Sequence, residues 1–516
     1  MTHWIIAPVI LPALLAPFIV LAARYHIGIQ RVFSVAGVLA LIAIALGLAW
    51  QASDGTITLY QLGDWAAPFG IVLVADRLST LMVLLTAVLA LFVLLYAIGS
   101  EWDNRGRHFH ALFQFQLMGI MGAFLTGDLF NLFVFFEVLL IASYGLMIHS
   151  GGNARLRAGV QYVLFNLLGS TLFLFALGAI YAEAGTLNMA DLAQRVRLID
   201  GTETVGVRLA AVLLLLVFAI KAAVLPLHFW LPSSYAEAPA PVAALFAIMT
   251  KVGAYAIIRV YTMVFSPDLD VTAGLHTTWL LPAALASLAI GMIGILAARH
   301  LDRLVAFAVI GSMGMVMVAI SLFTPTSISA ARYYTVHSTL AAAALFLIVD
   351  LVKTGRADLS LIAQPVIPGA ALTSALFFAA AIAMAGLPPL SGFVGKLLVL
   401  DAAFTTTSAA WVWAIILISS LIAVVGFSRA GSVLFWKAKA MPVVEDPEQE
   451  EDVLPPATLS YVAVGGLLAL LVAHTVFAGP ATRYMTAISN QLFNPEPYIA
   501  TVLDTPGKLS TPKEGY

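Results

Sequence analysis

Apolar residues gather into runs of spanning length near 4–22, 32–50, 76–98, 111–127, 129–148, 160–182 and 207–225. Further runs follow near 239–262, 276–297, 302–323, 331–352, 371–387 with 391–406, 411–435 and 456–479. A membrane-crossing helix needs about 20 apolar residues, so the pattern predicts an all-α polytopic membrane protein with about fourteen transmembrane helices. The first run, Trp4 to Ala22, is too long for a signal-peptide core and lacks a basic leader. It is expected to remain as the first membrane helix.

Two runs are interrupted. Between Lys221 and Lys251 the chain reads KAAVLPLHFWLPSSYAEAPAPVAALFAIMTK, with Pro226, Pro232, Pro239 and Pro241. In the second, AGLPPLSGFVGK, Pro388 and Pro389 precede Lys396. Each proline removes a backbone donor and obstructs a helix. In lipid such a break persists only where protein or a water-filled cavity satisfies the freed groups. The breaks fall in the seventh and twelfth runs, five apart, and an odd-numbered repeat must run inverted through the membrane. Two inverted five-helix repeats with discontinuous helices 7 and 12 are therefore expected, as in many secondary transporters. The expected division is an N-terminal three-helix segment at 1–110, a first repeat (a proton half-channel) at 111–262, a second at 276–435, and a C-terminal helix and tail at 456–516.

Composition agrees with a membrane protein. The hydrophobic fraction is 61% and the charged fraction 10%, where a soluble domain carries about 25% charged residues. A net charge of −2 gives no sign of a nucleic-acid partner, and the absence of cysteine excludes disulfides, thiolate metal sites and cysteine-bound clusters. Loop charges set the orientation. Arg24 and Arg31, Arg105 and Arg107, Arg155 and Arg157, Arg299 and Arg303, Lys353 and Arg356, and Arg429, Lys437 and Lys439 are assigned to odd-numbered loops. The odd loops are thus expected in the cytoplasm of a bacterium, with both termini outside its plasma membrane. The acidic run EDPEQEED is read as a solvated connector, and the tail after Pro480 as irregular.

Four ionisable residues lie deep in apolar sequence: Glu137, Lys221, Lys251 and Lys396. A charge near the bilayer centre costs about 2.5–3.5 kcal/mol on insertion scales, so such residues usually face a bundle interior and act there. Burial disfavours charge and an opposite charge restores it, so a Glu137–Lys221 pair would be a two-state device. Separated from Glu137, Lys221 could release its proton to Lys251, and transfer would continue through water toward His337 and Lys396. His337 suits a relay because imidazole titrates near neutrality. His228, in the amphipathic LHFWLP, is expected to play an interfacial structural role. Asp128 and Asp302 are placed to cap helices, and Arg259 lies toward a helix end. The chain shows no phosphate loop, dinucleotide fingerprint or metal-ligand cluster. A protein that moves ions, with no cofactor and no chemistry of its own, is expected.

KAAVLPLHFWLPSSYAEAPAPVAALFAIMTKVGAYAIIR, the segment around Glu137 and GLPPLSGFVGK resemble the proton-translocating, antiporter-like subunits shared by respiratory complex I and the multisubunit Mrp-type Na+/H+ antiporters. The resemblance is densest over 110–435, and YYTVHSTL with GLPPLSGFVGK is most similar to the single 14-helix antiporter-like chain of the Mrp-type complexes. It implies that Glu137 and Lys221 form the coupling pair, that Lys251 is the central proton carrier, and that Lys396 gates a terminal half-channel. It also implies work inside a hetero-oligomer of hydrophobic subunits, with the Na+ path largely in a partner. Relatives often carry a pattern like HHxxVK after the eleventh-helix histidine. Here the stretch is HSTLAA, with Ser338 for the second histidine and Ala342 for the lysine, so the link would rest on His337, Ser312 and water. The expected function is the proton-translocating subunit of a cation/H+ antiporter. The alternative is a proton-pumping membrane subunit of a redox enzyme, complex I-like or hydrogenase-like.

Overall fold

A computed structural model describes residues 2–199, 204–270, 272–356, 358–441 and 456–507. The acidic run at 445–452 and the end of the tail lie outside the described residues.

The chain is mostly helical. In order the elements are α1 (Ala7–Ala22), α2 (Ile27–Ala52), β1 (Thr58–Gln61), β2 (Val72–Ala75), α3 (Arg77–Gly99), α4 (Phe109–Leu125), α5 (Leu129–Met147), α6 (Asn153–Ala184) and α7 (Met189–Arg197). Then come α8 (Thr204–Lys221), α9 (Trp230–Glu237), α10 (Ala240–Met263), α11 (Leu281–Ala297), α12 (Leu301–Ser321) and α13 (Pro325–Thr354). The remainder is α14 (Ala370–Ala385), α15 (Ser391–Ala403), α16 (Ala409–Gly431), α17 (Thr458–Val476), α18 (Ala478–Leu492) and α19 (Glu496–Leu503). Among the described residues, 10 helices are long and apolar enough to cross a membrane, and α1, α4 and α14 are shorter apolar helices. The seventh run forms α8, with the short α9 following beyond Pro226 and before the eighth run, and the twelfth divides into α14 and α15.

Three helices form the centre. A helix that is apolar all round belongs in a core, and α10 is buried at every position from Pro241 to Met263. Helix α12 packs on α10 and α13, and α13 also meets α14, α15, α17 and α18. Gly253 lets α10 approach the end of α8, since a Cβ there would lie 2.7 Å from the Ala222 amide nitrogen.

Buried ion pairs tie this centre to its periphery. Asp76 caps α3 by accepting from the Ser79 amide and takes two bonds from Arg259, at 2.6 and 2.8 Å, near the end of α10. Arg259 therefore does lie toward a helix end. Asp128 caps α5 as expected, accepting from the Asn131 amide at 2.8 Å.

Three expectations need correction. Arg31, Arg155, Arg157, Arg303, Lys353 and Arg429 lie within helix ends rather than in loops. Their helices run past the apolar stretch because long basic side chains can carry the charge out to water. Asp302 is not the cap of α12: His300 holds that position, and Asp302 accepts from the Arg303 amide inside the first turn. The tail is not irregular as far as it is described. α18 buries Met485, Ile488 and Leu492 on one face and packs on α13 and α3, so its signal is amphipathic spacing rather than bulk hydropathy. The hairpin β1–β2 and the amphipathic α7 also fall between the apolar runs.

Candidate functional site

The first break positions Lys221. Helix α8 ends there because Pro226 supplies no amide donor. The freed groups find side chains: the Trp230 indole donates to the Ile220 carbonyl at 3.2 Å, and the Leu225 amide donates to Ser287 Oγ at 2.8 Å. Lys221 is buried, and its Nζ lies 3.2 Å from the Asn166 carbonyl, 3.4 Å from Asn166 Oδ1 and 3.5 Å from Ser170 Oγ. Ser170 in turn donates to Glu137 Oε1. The expected Glu137–Lys221 pair is therefore not in direct contact. Ser170 joins the two, accepting from the ammonium and donating to the carboxylate.

Glu137 is only partly buried. It falls on the same face of α5 as Phe130, Val134 and Ile141, all exposed. The acid of this pair thus sits at the rim of the chain, while its lysine sits inside.

Lys251 occupies the middle of α10 with no exposed surface. Its Nζ makes no hydrogen bond among the described residues, and neither does Oγ1 of Thr250 beside it. Gln116 on α4 donates to Met249 Sδ at 3.1 Å and leaves Oε1 unpaired. Facing helix α13 carries Arg332, fully buried with all of its guanidinium nitrogens unpaired, along with the unpaired Tyr334 hydroxyl and His337 Nε2. Buried polar atoms are normally satisfied by protein or water. These unpaired atoms gather in a seam along α10, α13 and α4.

His337 connects the seam to the second break. Its Nδ1 lies 2.9 Å from Ser391 Oγ at the start of α15. His474, on α17, stacks on Tyr333 with ring centroids 4.1 Å apart. Lys396, on α15, reaches back across the gap and donates to the Ala385 carbonyl, the last of α14, at 2.5 Å, and to Ser420 Oγ at 2.8 Å. Gly386, at φ 73°, makes room for it, since a Cβ there would lie 2.6 Å from the lysine Cδ.

The other sequence candidates fall outside this line. Ser312 and Ser338 turn their hydroxyls onto their own helices, toward the carbonyls of Val309 and Thr335. The partner of His337 is Ser391, so Ser312 does not carry the link. His228 lies half-buried in the first break, and Ala342 is buried in α13. The sequence reading missed Asn166 and Ser170, although their four-residue spacing in an otherwise apolar run marks one polar helix face. Arg332, Ser391 and His474 were missed as well. Among the described residues, no group of three or more His, Asp or Glu could hold a metal ion.

Comparison with known proteins covers nearly the whole chain. The family model described as NADH:quinone oxidoreductase/Mrp antiporter, transmembrane, matches residues 126–423. A probable K(+)/H(+) antiporter subunit from Rhizobium meliloti is 37% identical, with 98% of each chain covered. A Na(+)/H(+) antiporter subunit from Bacillus subtilis is 38% identical, over 98% of this chain and 100% of that one. Among solved structures, a chain of the Mrp complex from a Dietzia species superposes with a TM-score of 0.85 at 27% identity, over 98% of this chain and 100% of the other.

Proposed function

Because this chain belongs to the NADH:quinone oxidoreductase/Mrp antiporter family, we propose that it is the proton-translocating subunit of a multisubunit monovalent cation/H+ antiporter driven by the proton-motive force. It crosses the bacterial plasma membrane about fourteen times, with α8–α9 and α14–α15 each forming one discontinuous crossing. Residues 1–110 form an accessory segment, 111–262 and 276–435 the inverted repeats, and 456–516 a C-terminal helix and tail. The basic loops face the cytoplasm. The partners are other hydrophobic subunits, and the coupled cation, Na+ or K+, passes largely through them. The names of the full-length relatives favour an antiporter over a redox-driven pump.

The hydrogen-bond chain Lys221–Ser170–Glu137 carries this reading. With Glu137 ionised, Lys221 keeps its proton. When a neighbour draws off the negative charge, burial drives Lys221 to give the proton up. Lys251, with no bonded partner, accepts it. His337 passes it on, with Ser391 orienting its ring toward α15, and Lys396 releases it.

The test uses everted vesicles from an antiporter-deficient host expressing the full set of subunits. The vesicles are energised by a substrate other than NADH, and collapse of the pH gradient is followed on adding Na+ or K+. Collapse with wild type and none with assembled Lys221→Ala is expected. Normal exchange in the mutant would remove Lys221 from the path, and no response in either would favour the redox-driven alternative.

A further inference from the structure

On the face that carries the basic loops, away from the buried line, the turn between α1 and α2 and the loop before α4 enclose a cavity of about 580 Å³. Its polar lining is Arg24, Gln30, Asp103, Arg105, Arg107 and His108 with the neighbouring Asn104. The walls are held in place. Gln30 donates to the carbonyls of Ala23 and Arg24, at 3.1 and 3.4 Å, and shapes the first turn. Arg31 grips both oxygens of Asp103, at 2.6 and 2.9 Å, and so ties α2 to the loop before α4. His110 adds a third contact at 3.0 Å.

These bonds decide the charge of the cavity. Burial works against ionisation of Asp103, but the hydrogen bonds from His110 and Arg31 outweigh it and hold the carboxyl below its usual range. The carboxylate in the wall is therefore ionised and already engaged. Glu101 lines a separate cavity beside Asp350. Arg24 and Arg107 are left facing the space, and Arg105 stands between the two cavities, donating to the Ser100 carbonyl at 3.2 Å. Arg24 lies 4.7 Å over the Tyr25 ring and Arg105 4.1 Å over the Trp102 ring, contacts that position a guanidinium through its flat face. A planar guanidinium fork matches the geometry of phosphate.

The flank of the cavity is apolar. Leu21 and Tyr25 are 81% and 80% exposed, and Phe18 and Ile29 lie beside them on α1 and α2. Tyrosine at this level suits the membrane interface, and basic pockets between membrane helices bind anionic headgroups. We propose that this cavity binds the phosphate of an anionic phospholipid, whose acyl chains run along the exposed face of α1 and α2.

The experiment needs no ion transport. The purified, assembled complex is titrated with phosphatidylglycerol and, separately, with phosphatidylcholine, and bound lipid is counted by native mass spectrometry. Wild type is expected to hold at least one phosphatidylglycerol that phosphatidylcholine does not replace. Arg105→Gln with Arg107→Gln should weaken that binding at least fivefold. Arg107→Gln alone, whose parent side chain makes no hydrogen bond among the described residues, should weaken it in the same direction and guards against loss of assembly in the double variant. Equal binding in Arg107→Gln and wild type, or no preference in wild type, overturns the proposal. Displacement of the lipid by millimolar inorganic phosphate, which itself binds in its place, overturns the lipid in favour of a free anion.

Discussion

Lys221 ends the half-helix that precedes its break, whereas Lys396 lies within the half-helix that follows its own and reaches back across the gap. Both ammonium groups are buried and both breaks are made by proline, yet their partners differ. Lys221 meets Asn166 and Ser170, and through Ser170 a carboxylate. Lys396 meets a helix-terminal carbonyl and Ser420. The C-terminal end of a helix carries roughly half a negative charge that no titration can remove. On the proposed path the charge of Lys221 would answer to the state of Glu137, while Lys396 faces a constant field.

Five substitutions would break or sharpen this contrast, and all assume that assembly is checked by purification with the partner subunits. Lys221→Ala should reduce cation-driven collapse of the pH gradient to background, while Lys396→Ala leaves a measurable residue. Equal and complete loss in both would mean that the two lysines are functionally equivalent. Ser170→Ala removes the link to the acid. A hydrogen bond to a charged group is worth about 1.5–3 kcal/mol, so exchange should fall by about tenfold or more, at 1.4 kcal/mol per factor of ten. An exchange rate equal to wild type would show that Glu137 reaches Lys221 by another route. Gly386→Ala combines a left-handed backbone, costing about 1–2 kcal/mol, with a Cβ against Lys396. Its expected signature is a melting midpoint lowered by about 1–2 °C together with reduced exchange, and an unchanged midpoint would mean the gap relaxes freely. Ser420→Ala should have the smallest effect, about threefold on exchange (about 0.7 kcal/mol at 1.4 kcal/mol per factor of ten), because the Ala385 carbonyl still accepts from the same ammonium. A loss as large as that of Ser170→Ala would make the two serines equivalent and erase the distinction.

The positions of the helices and both breaks were legible because the bilayer imposes length and apolarity on each crossing and proline interrupts in a known way. The four deep charges stood out for the same reason, as exceptions in lipid-facing composition. What stayed hidden depends on rotation and on contacts between distant helices. Ser170 is an ordinary serine until α6 turns it between Glu137 and Lys221. Ser312 was the expected link, but Ser391, which was not considered, opens the half-helix that meets His337. Arg332 was overlooked in a stretch that was read for its histidine. Its environment is set by α10, more than 60 positions earlier in the chain. The C-terminal helices escaped because their apolar residues are few and matter only by spacing.

The partial exposure of Glu137 also bears on how the protein is made. A lone copy of the chain in the bilayer presents that carboxylate on an apolar stripe between Val134 and Ile141. Each such charge costs the isolated chain about 2.5–3.5 kcal/mol, and a neighbour that covers the stripe with a complementary group relieves it. The side chain proposed to couple the proton step therefore gives the orphan chain a reason to assemble, and gives quality control a mark by which to recognise one that has not.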